Sequence, residues 1–268
     1  MLYRAKLHAP MTLTNTECEV YKRQMIIDRW GTEVQERLKQ STVFVAGAGG
    51  LGSPASIYLA VAGVGHLSVC DFDSPEWSNL NRQILHDASR IGMNKALSAK
   101  KTLERLNTYI QVTALSTRIE PDSVDRLVGD AQIILDCMDN YDTRYVLNAC
   151  ALRKRIPLLH GSIRGWEGRL AFLQPPDTPC LRCIVPEAPP REVFPVVGAT
   201  PGVIGTLQAV EALKYLAGIP TPLKGRLLVW DGEAMETKTF DLKHDPHCVD
   251  CARIALDAPS SRTGSRVR

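Results

Sequence analysis

Residues 43–60 read VFVAGAGGLGSPASIYLA, an apolar run, a glycine turn and a run of small and apolar residues. Gly47, Gly49 and Gly52 stand in the pattern G-x-G-x-x-G, with Gly50 inside the same turn. Glycines at this spacing let a backbone turn tightly and approach a phosphate, which then lies on a helix N-terminus. The pattern therefore predicts strand, loop and helix in a sheet fed by crossover helices. Taken alone it fits NAD or FAD, with Asp71 on a ribose 2′-hydroxyl, as readily as any other phosphate compound.

The rest of the chain repeats the alternation. Met25, Ile26, Trp30, Val34 and Leu38 recur at helical spacing between Tyr21 and Leu38, whereas residues 1–19 show no clear pattern. Strands are expected at 42–46, 66–73, 110–115, 132–137 and 157–161. Helices are expected after the glycine turn, near 93–106 with Met93, Leu97, Leu103 and Leu106 on one side, between Pro121 and Gly129, and over 143–153. Alternation on this spacing predicts an α/β fold, Rossmann-like and doubly wound, with a mostly parallel sheet. GRLAFLQ, RLLVWD and ETKTFDL read as later strands extending that sheet, and 184–202 as a Pro-rich loop. Ligands of such sheets sit at the carboxyl ends of the strands, which gathers the glycine turn, Asp71, Asp73 and Asp139 around one crevice.

Charge and composition narrow the function classes. The net charge is +3, and Arg253, Arg262, Arg266 and Arg268 against Asp257 account for all of it in the last residues. The body is formally neutral, so no nucleic-acid surface is expected. The longest weakly polar run, 51–65, is too short to cross a bilayer, so no membrane partner is expected. The start MLYRAKLHAPM has no apolar h-region, and a cytoplasmic protein is the expectation.

Several residues carry chemistry. Asn79 and Arg82, in SNLNRQ, follow the acidic strand end, and Lys95, in GMNKA, stands at a helix start. A dinucleotide's pyrophosphate is already met by backbone N–H groups; two further cations suit a triphosphate whose charge shifts during reaction. Read without context, Arg82 and Lys95 are more often solvated surface charges. Asp139, past the 132–137 strand, could hold Mg²⁺ or simply cap the next helix. Cys180 and Cys183 in CLRC, with Cys248 and Cys251 in CVDC, form two C-x-x-C pairs separated by 64 residues. Two such pairs can close a tetrahedral Cys₄ zinc site, although the separation exceeds the usual ribbon spacing; a redox dithiol needs only one pair. Cys18, Cys70, Cys137 and Cys150 are scattered, the last three in apolar surroundings that suggest buried thiols.

Together these segments resemble the ThiF/MoeB/HesA family, relatives of the ubiquitin-activating enzymes. The likeness runs in order through YKRQM, GAGGLGSPAS, DFDSPEWSNLNRQ, GMNKA, LDCMDN, CLRC, GVIGTLQAVEALK and HCVDC. The resemblance implies an N-terminal extension over 1–20, an adenylation domain over 21–251 and a tail over 252–268 that is expected to be disordered. It implies ATP rather than NAD, with Mg²⁺ and a structural Zn²⁺. The implied reaction is adenylylation of the Gly-Gly carboxylate that ends a small ubiquitin-like sulfur carrier of the molybdopterin, tungstopterin or thiamine type. Pyrophosphate leaves, and a separate sulfur donor, a cysteine desulfurase or rhodanese, then forms the thiocarboxylate.

By the same resemblance Gly49 lies against the phosphates, Asp71 binds ribose hydroxyls, and Asn79, Arg82 and Lys95 contact phosphate oxygens. Asp139 organises Mg²⁺, and Arg23 reaches the nucleotide from the other subunit of a homodimer. Some relatives carry a cysteine in the crossover loop that joins covalently to the carrier. The segment IVPEAPPREVFPVVGATPG, 184–202, has none, and the 17 residues after Cys251 are too few for a rhodanese domain. Adenylylation without a persistent thioester is the resulting expectation. An NAD-dependent oxidoreductase explains the glycines but not Arg82, Lys95 or the cysteine pairs. A non-catalytic, zinc-stabilised dimer that binds the carrier would not need Arg82, Lys95 and Asp139.

Overall fold

The computed structural model describes residues 12–190 and 194–252. Eight strands form one sheet: β1 (Thr42–Ala46), β2 (His66–Cys70), β3 (Gln111–Leu115), β4 (Ile133–Asp136), β5 (Leu158–Arg164), β6 (Glu167–Leu173), β7 (Arg226–Asp231) and β8 (Glu236–Asp241). Their order is β3-β2-β1-β4-β5-β6-β7-β8. Pairs from β3 to β5 are parallel, and β5 to β8 continue as an antiparallel meander. The doubly wound, mostly parallel sheet extended by C-terminal strands is thus present, with the order reversing between β1 and β4.

Alternation along the strands divides the core. Val43 and Val45 point to one face, packing with Leu59 of α3 (Gly52–Val61), Leu103 of α4 (Lys95–Leu106) and Leu216 of α8 (Ala199–Ala217). Phe44 and Ala46 point to the other, against Val128 of α5 (Val124–Val128) and Leu147 and Cys150 of α6 (Tyr141–Lys154). Both faces of β1 are fully buried, as a parallel strand under two helical layers requires.

Three elements differ from the sequence reading. α1 (Asn15–Met25) begins in the stretch that shows no periodicity, because Thr14 and Glu17 form a capping box there. α4 turns its small residues Ala96, Ser98 and Ala99 inward, while Leu97 and Leu106 are exposed. The close packing of α4 on the sheet admits small side chains where the periodicity suggested leucines. α8 starts at Ala199, inside the expected loop, since Pro201 fits a first helical turn. The tail over 252–268 lies, apart from Ala252, outside the described residues.

α1 and α2 (Gly31–Lys39) stand at the sheet edge opposite the carboxyl ends of β1, β2 and β4. Tyr21 hydrogen-bonds Asn107 beyond the end of α4, and Gln24 donates to Ala62 at the end of α3. No helix among the described residues is long and apolar enough to cross a membrane.

Candidate functional site

Three loops meet where the strand order reverses. Gly47 follows β1 at φ +96°, a left-handed conformation that costs glycine little, and an added Cβ would lie 2.9 Å from the Cys137 carbonyl oxygen. Gly52 opens α3 with its Cα so near the Gly47 carbonyl that a Cβ would lie 1.9 Å from that oxygen. Both glycines are therefore required by the turn itself. Gly49 and Gly50 are not so confined: a Cβ would meet Gln83 at 3.5 Å on the first and Pro201 at 3.2 Å on the second. No side chain caps α3; in its first turn the Ser53 and Ala55 N–H groups bond the Gly49 and Leu51 carbonyls and Pro54 has none, which leaves the glycine turn itself to offer backbone donors to the crevice.

Asp71 follows β2 and braces this turn. Its Oδ2 accepts from the Ala48 N–H at 2.8 Å and its Oδ1 from the Asp73 N–H at 2.9 Å. Burial pushes the Asp71 carboxyl up from its ordinary value, against the pull of those amides and of Lys95. Ala48 is held from the other side by His86, whose Nε2 lies 2.9 Å from the Ala48 carbonyl oxygen. That oxygen only accepts, so Nε2 carries the proton, and burial pushes the His86 pKa down.

Lys95 is the first residue of α4, which Asn94 caps by accepting from the Ala96 and Leu97 N–H groups. Its side chain is 10% exposed, with Nζ 3.8 Å from Asp73 Oδ2. A cation at a helix N-terminus opposes the helix dipole, and burying it adds a desolvation cost. The solvated-charge reading of Lys95 therefore fails. Arg82 is half-buried beside Gly50; its Nη1 donates to the Ser78 carbonyl at 2.8 Å and to Asn81 Oδ1 at 2.9 Å. Asn79 lies in the single 3₁₀ turn before Arg82, with Oδ1 accepting from the Glu76 N–H at 3.2 Å. Asp139 is exposed on the turn after β4, and the cap of α6 is Asn140, not Asp139. Arg23 is exposed on α1, at the far edge of the sheet, and the chain does not itself bring it to the crevice.

The cysteine pairs do come together. Cys180 precedes the short helix α7 (Leu181–Ile184), Cys183 lies in it, and Cys248 and Cys251 follow β8. All four sulfurs lie within 4.8 Å of one another, with Cys180–Cys248 at 3.6 Å and Cys183–Cys251 at 3.4 Å. Tetrahedral zinc with Zn–S bonds of about 2.3 Å sets sulfurs about 3.8 Å apart, so the set is compatible with that ion. Asn148 of α6 ties both knuckles, accepting from the Leu181 N–H and donating to Asp250. The cluster packs on Leu152 in the last turns of α6, roughly 17 Å along the helix axis from the crevice end.

Sequence reasoning missed His86, and also Asp136, Arg144, His160 and Gln208, which form a buried polar group behind the β4 turn. Buried charged residues are uncommon, but nothing in the local pattern marks Arg144 as inward-facing on α6. The remaining cysteines behave as expected of buried thiols. Burial pushes Cys70 and Cys150 up to about 12, and Cys137 higher still. Cys18 is half-buried within α1 rather than ahead of the folded region.

The fold and crevice define a doubly wound α/β protein with a glycine turn at the point where the strand order reverses and a four-cysteine cluster. The ThiF family model matches residues 21–250, and the chain belongs to that family. It is 38% identical over 263 residues to a sulfur carrier protein adenylyltransferase of Thermus thermophilus, covering 94% of this chain and 96% of the relative. It is 41% identical over 248 residues to adenylyltransferase and sulfurtransferase MOCS3 of Culex quinquefasciatus, covering 90% of this chain. The chain spans only 56% of that relative's length. Among solved structures, E. coli MccB with ATP matches at a TM-score of 0.77 and 22% identity, over 89% of this chain and 75% of that one.

Proposed function

We propose that the protein adenylylates the C-terminal Gly-Gly carboxylate of a small ubiquitin-like sulfur carrier with ATP. The observation that carries this reading is the buried Lys95 at a helix N-terminus, on the same crevice as an uncapped α3 and Asp71. A carboxylate oxygen attacking an α-phosphorus brings two anions together, and the bond to the β-phosphate breaks as pyrophosphate leaves. Fixed cations and oriented N–H donors lower the cost of both events. Gly49, whose missing side chain the protein's own packing does not explain, gives the phosphates room. Asp71 takes the ribose hydroxyls, and Asn79, Arg82 and Lys95 take phosphate oxygens.

Asp139 would hold Mg²⁺, a hard cation suited to carboxylate and phosphate oxygens, which when bound would offset phosphate charge. Arg23 completes the site of the other subunit in a homodimer. Cys180, Cys183, Cys248 and Cys251 hold zinc in a closed set with no open position, so the metal is structural. A separate donor then replaces AMP with sulfur. A metal held by thiolates suits a reducing, cytoplasmic setting.

The test is ATP–pyrophosphate exchange with purified protein and candidate carriers ending in Gly-Gly, of the molybdopterin and thiamine types in turn. Carrier-dependent exchange is expected. NAD binding by calorimetry with no ATP binding would instead favour an oxidoreductase, and carrier binding without exchange a non-catalytic dimer.

A further inference from the structure

Behind the β4 turn lies a group of charges that the proposed reaction does not use. Asp136, the last residue of β4, is fully buried, and Arg144 of α6 and His160 of β5 are each 5% exposed. Asp136 Oδ2 lies 2.6 Å from His160 Nδ1 and 3.7 Å from Arg144 Nε. A carboxylate only accepts, so Nδ1 carries the proton that His160 shares with it. Arg144 Nε has no hydrogen-bond partner, although it is buried. Apolar side chains of similar size would fill this space with less desolvation.

What the charges do hold is the backbone on both sides of one residue. The Met138 N–H donates to Asp136 Oδ1 at 3.1 Å, and the Met138 carbonyl accepts from Arg144 Nη2 at 2.5 Å. The same Nη2 donates to the Gly161 carbonyl at 3.1 Å, anchoring the clamp to β5. Gln208 of α8 donates Nε2 to the carbonyls of Asp136 and Leu159, both at 3.0 Å, and so fixes the strand ends beneath. Two residues beyond Met138, Asn140 accepts from the Thr143 N–H and caps α6. Asp139 is thereby exposed between two pinned neighbours, with its backbone direction set on both sides.

We propose that Asp136 and Arg144, supported by His160, are positioning residues that clamp the two peptide groups flanking Met138 and so aim Asp139 into the crevice. This rests on the reading of Asp139 as the Mg²⁺-organising acid. Arg144→Lys keeps a charge beside Asp136, but its ammonium falls one bond short of the Nη2 that bonds both carbonyls. Outer partners of metal-ligating groups typically change metal affinity or activity by about 10–100-fold. In pyrophosphate exchange Arg144→Lys should raise the half-maximal Mg²⁺ concentration and lower kcat by about tenfold or more. In an Asp139→Ala background the same change should lower kcat less than about twofold, since the group it aims is gone. Equal losses in both backgrounds would show a merely structural residue and overturn the proposal.

Amide hydrogen exchange supplies a readout independent of turnover. Arg144→Lys should speed exchange at Met138 while amides of β1 and β4 stay protected, and an unchanged Met138 amide would equally overturn the clamp. If Arg144→Lys does not fold, the pair Asp136→Asn with Arg144→Met removes both charges, keeps the volume, and should show the same two effects. A wild-type protein inactive in exchange would sink the functional reading alone, because the Met138 amide still judges the clamp.

Discussion

Lys95 illustrates how one residue changes meaning once its surroundings are known. In sequence it is a lysine after an asparagine; in the fold it is a buried cation at the start of α4, beside Asp73 and electrostatically coupled to Asp71. Lys95→Ala is expected to lower kcat for pyrophosphate exchange by on the order of 10²–10³, the range for losing one donor to developing charge. Its folding stability should hold or rise, since a cation opposing the helix dipole is removed. A thermal melt and single-turnover kinetics on the same preparation separate these effects. Asp71→Ala should chiefly weaken nucleotide binding in calorimetry, through lost acceptors for ribose hydroxyls and a loosened Ala48 amide. Gly52→Ala drives a Cβ into a backbone oxygen that cannot swing away, and should cost about 1–3 kcal/mol in a denaturant titration.

Two buried histidines and a half-buried one tie stability of the strands and loops to pH. Burial pushes His66 on β2, His86 behind the glycine turn and His160 on β5 below their ordinary pKa of 6.5. Each therefore binds a proton more readily unfolded than folded. Stability is fully present above about pH 6.5 and falls as the pH drops from there toward the folded-state values. Urea midpoints taken from pH 7.5 to 5 should decline, and His86→Gln should make the decline shallower. A wild-type midpoint constant over that range would refute this account. Element boundaries were legible wherever hydrophobic period and turn chemistry agreed, as in β1, α3 and β4. They were not where capping or packing overrode them: α1 is set by the Thr14–Glu17 box, and α4 buries alanines and a serine.

Zinc and dimer predictions concern the whole molecule. Cys180 and Cys183 lie between β6 and the long helix α8, and Cys248 and Cys251 follow β8, so a metal there cross-links the middle of the antiparallel meander to its end. Cys180→Ser should lower zinc content and melting temperature together without removing the crevice, whose turns lie at the other end of α6. Full zinc occupancy in that variant would reject the four-cysteine assignment. Arg23 on α1 and Lys95 on α4 should complement in trans. A mixed preparation of Arg23→Ala and Lys95→Ala subunits should regain about a quarter of the wild-type exchange rate, because random pairing restores one site in half of the dimers. No regain would remove Arg23 from the site. With Cys70, Cys137 and Cys150 buried and raised in pKa, and no cysteine in the 184–202 loop, no enzyme–carrier conjugate is expected on non-reducing gels.

The sequence by itself determined the alternation of strands and helices, the glycine turn, the buried type of β4 and the pairing potential of CLRC with CVDC. These rest on local rules: a period of two or 3.6, a turn only glycine tolerates, a ligand spacing of three. Only the tertiary structure decided that Lys95 is buried, that Asn140 rather than Asp139 caps α6, and that cysteine pairs 64 residues apart bring their sulfurs within 4.8 Å of one another. It alone decided that Asp136, Arg144 and His160 meet behind the β4 turn. The reason is physical: burial and electrostatic coupling depend on which distant segments pack around a residue, and the period of its own segment does not encode them.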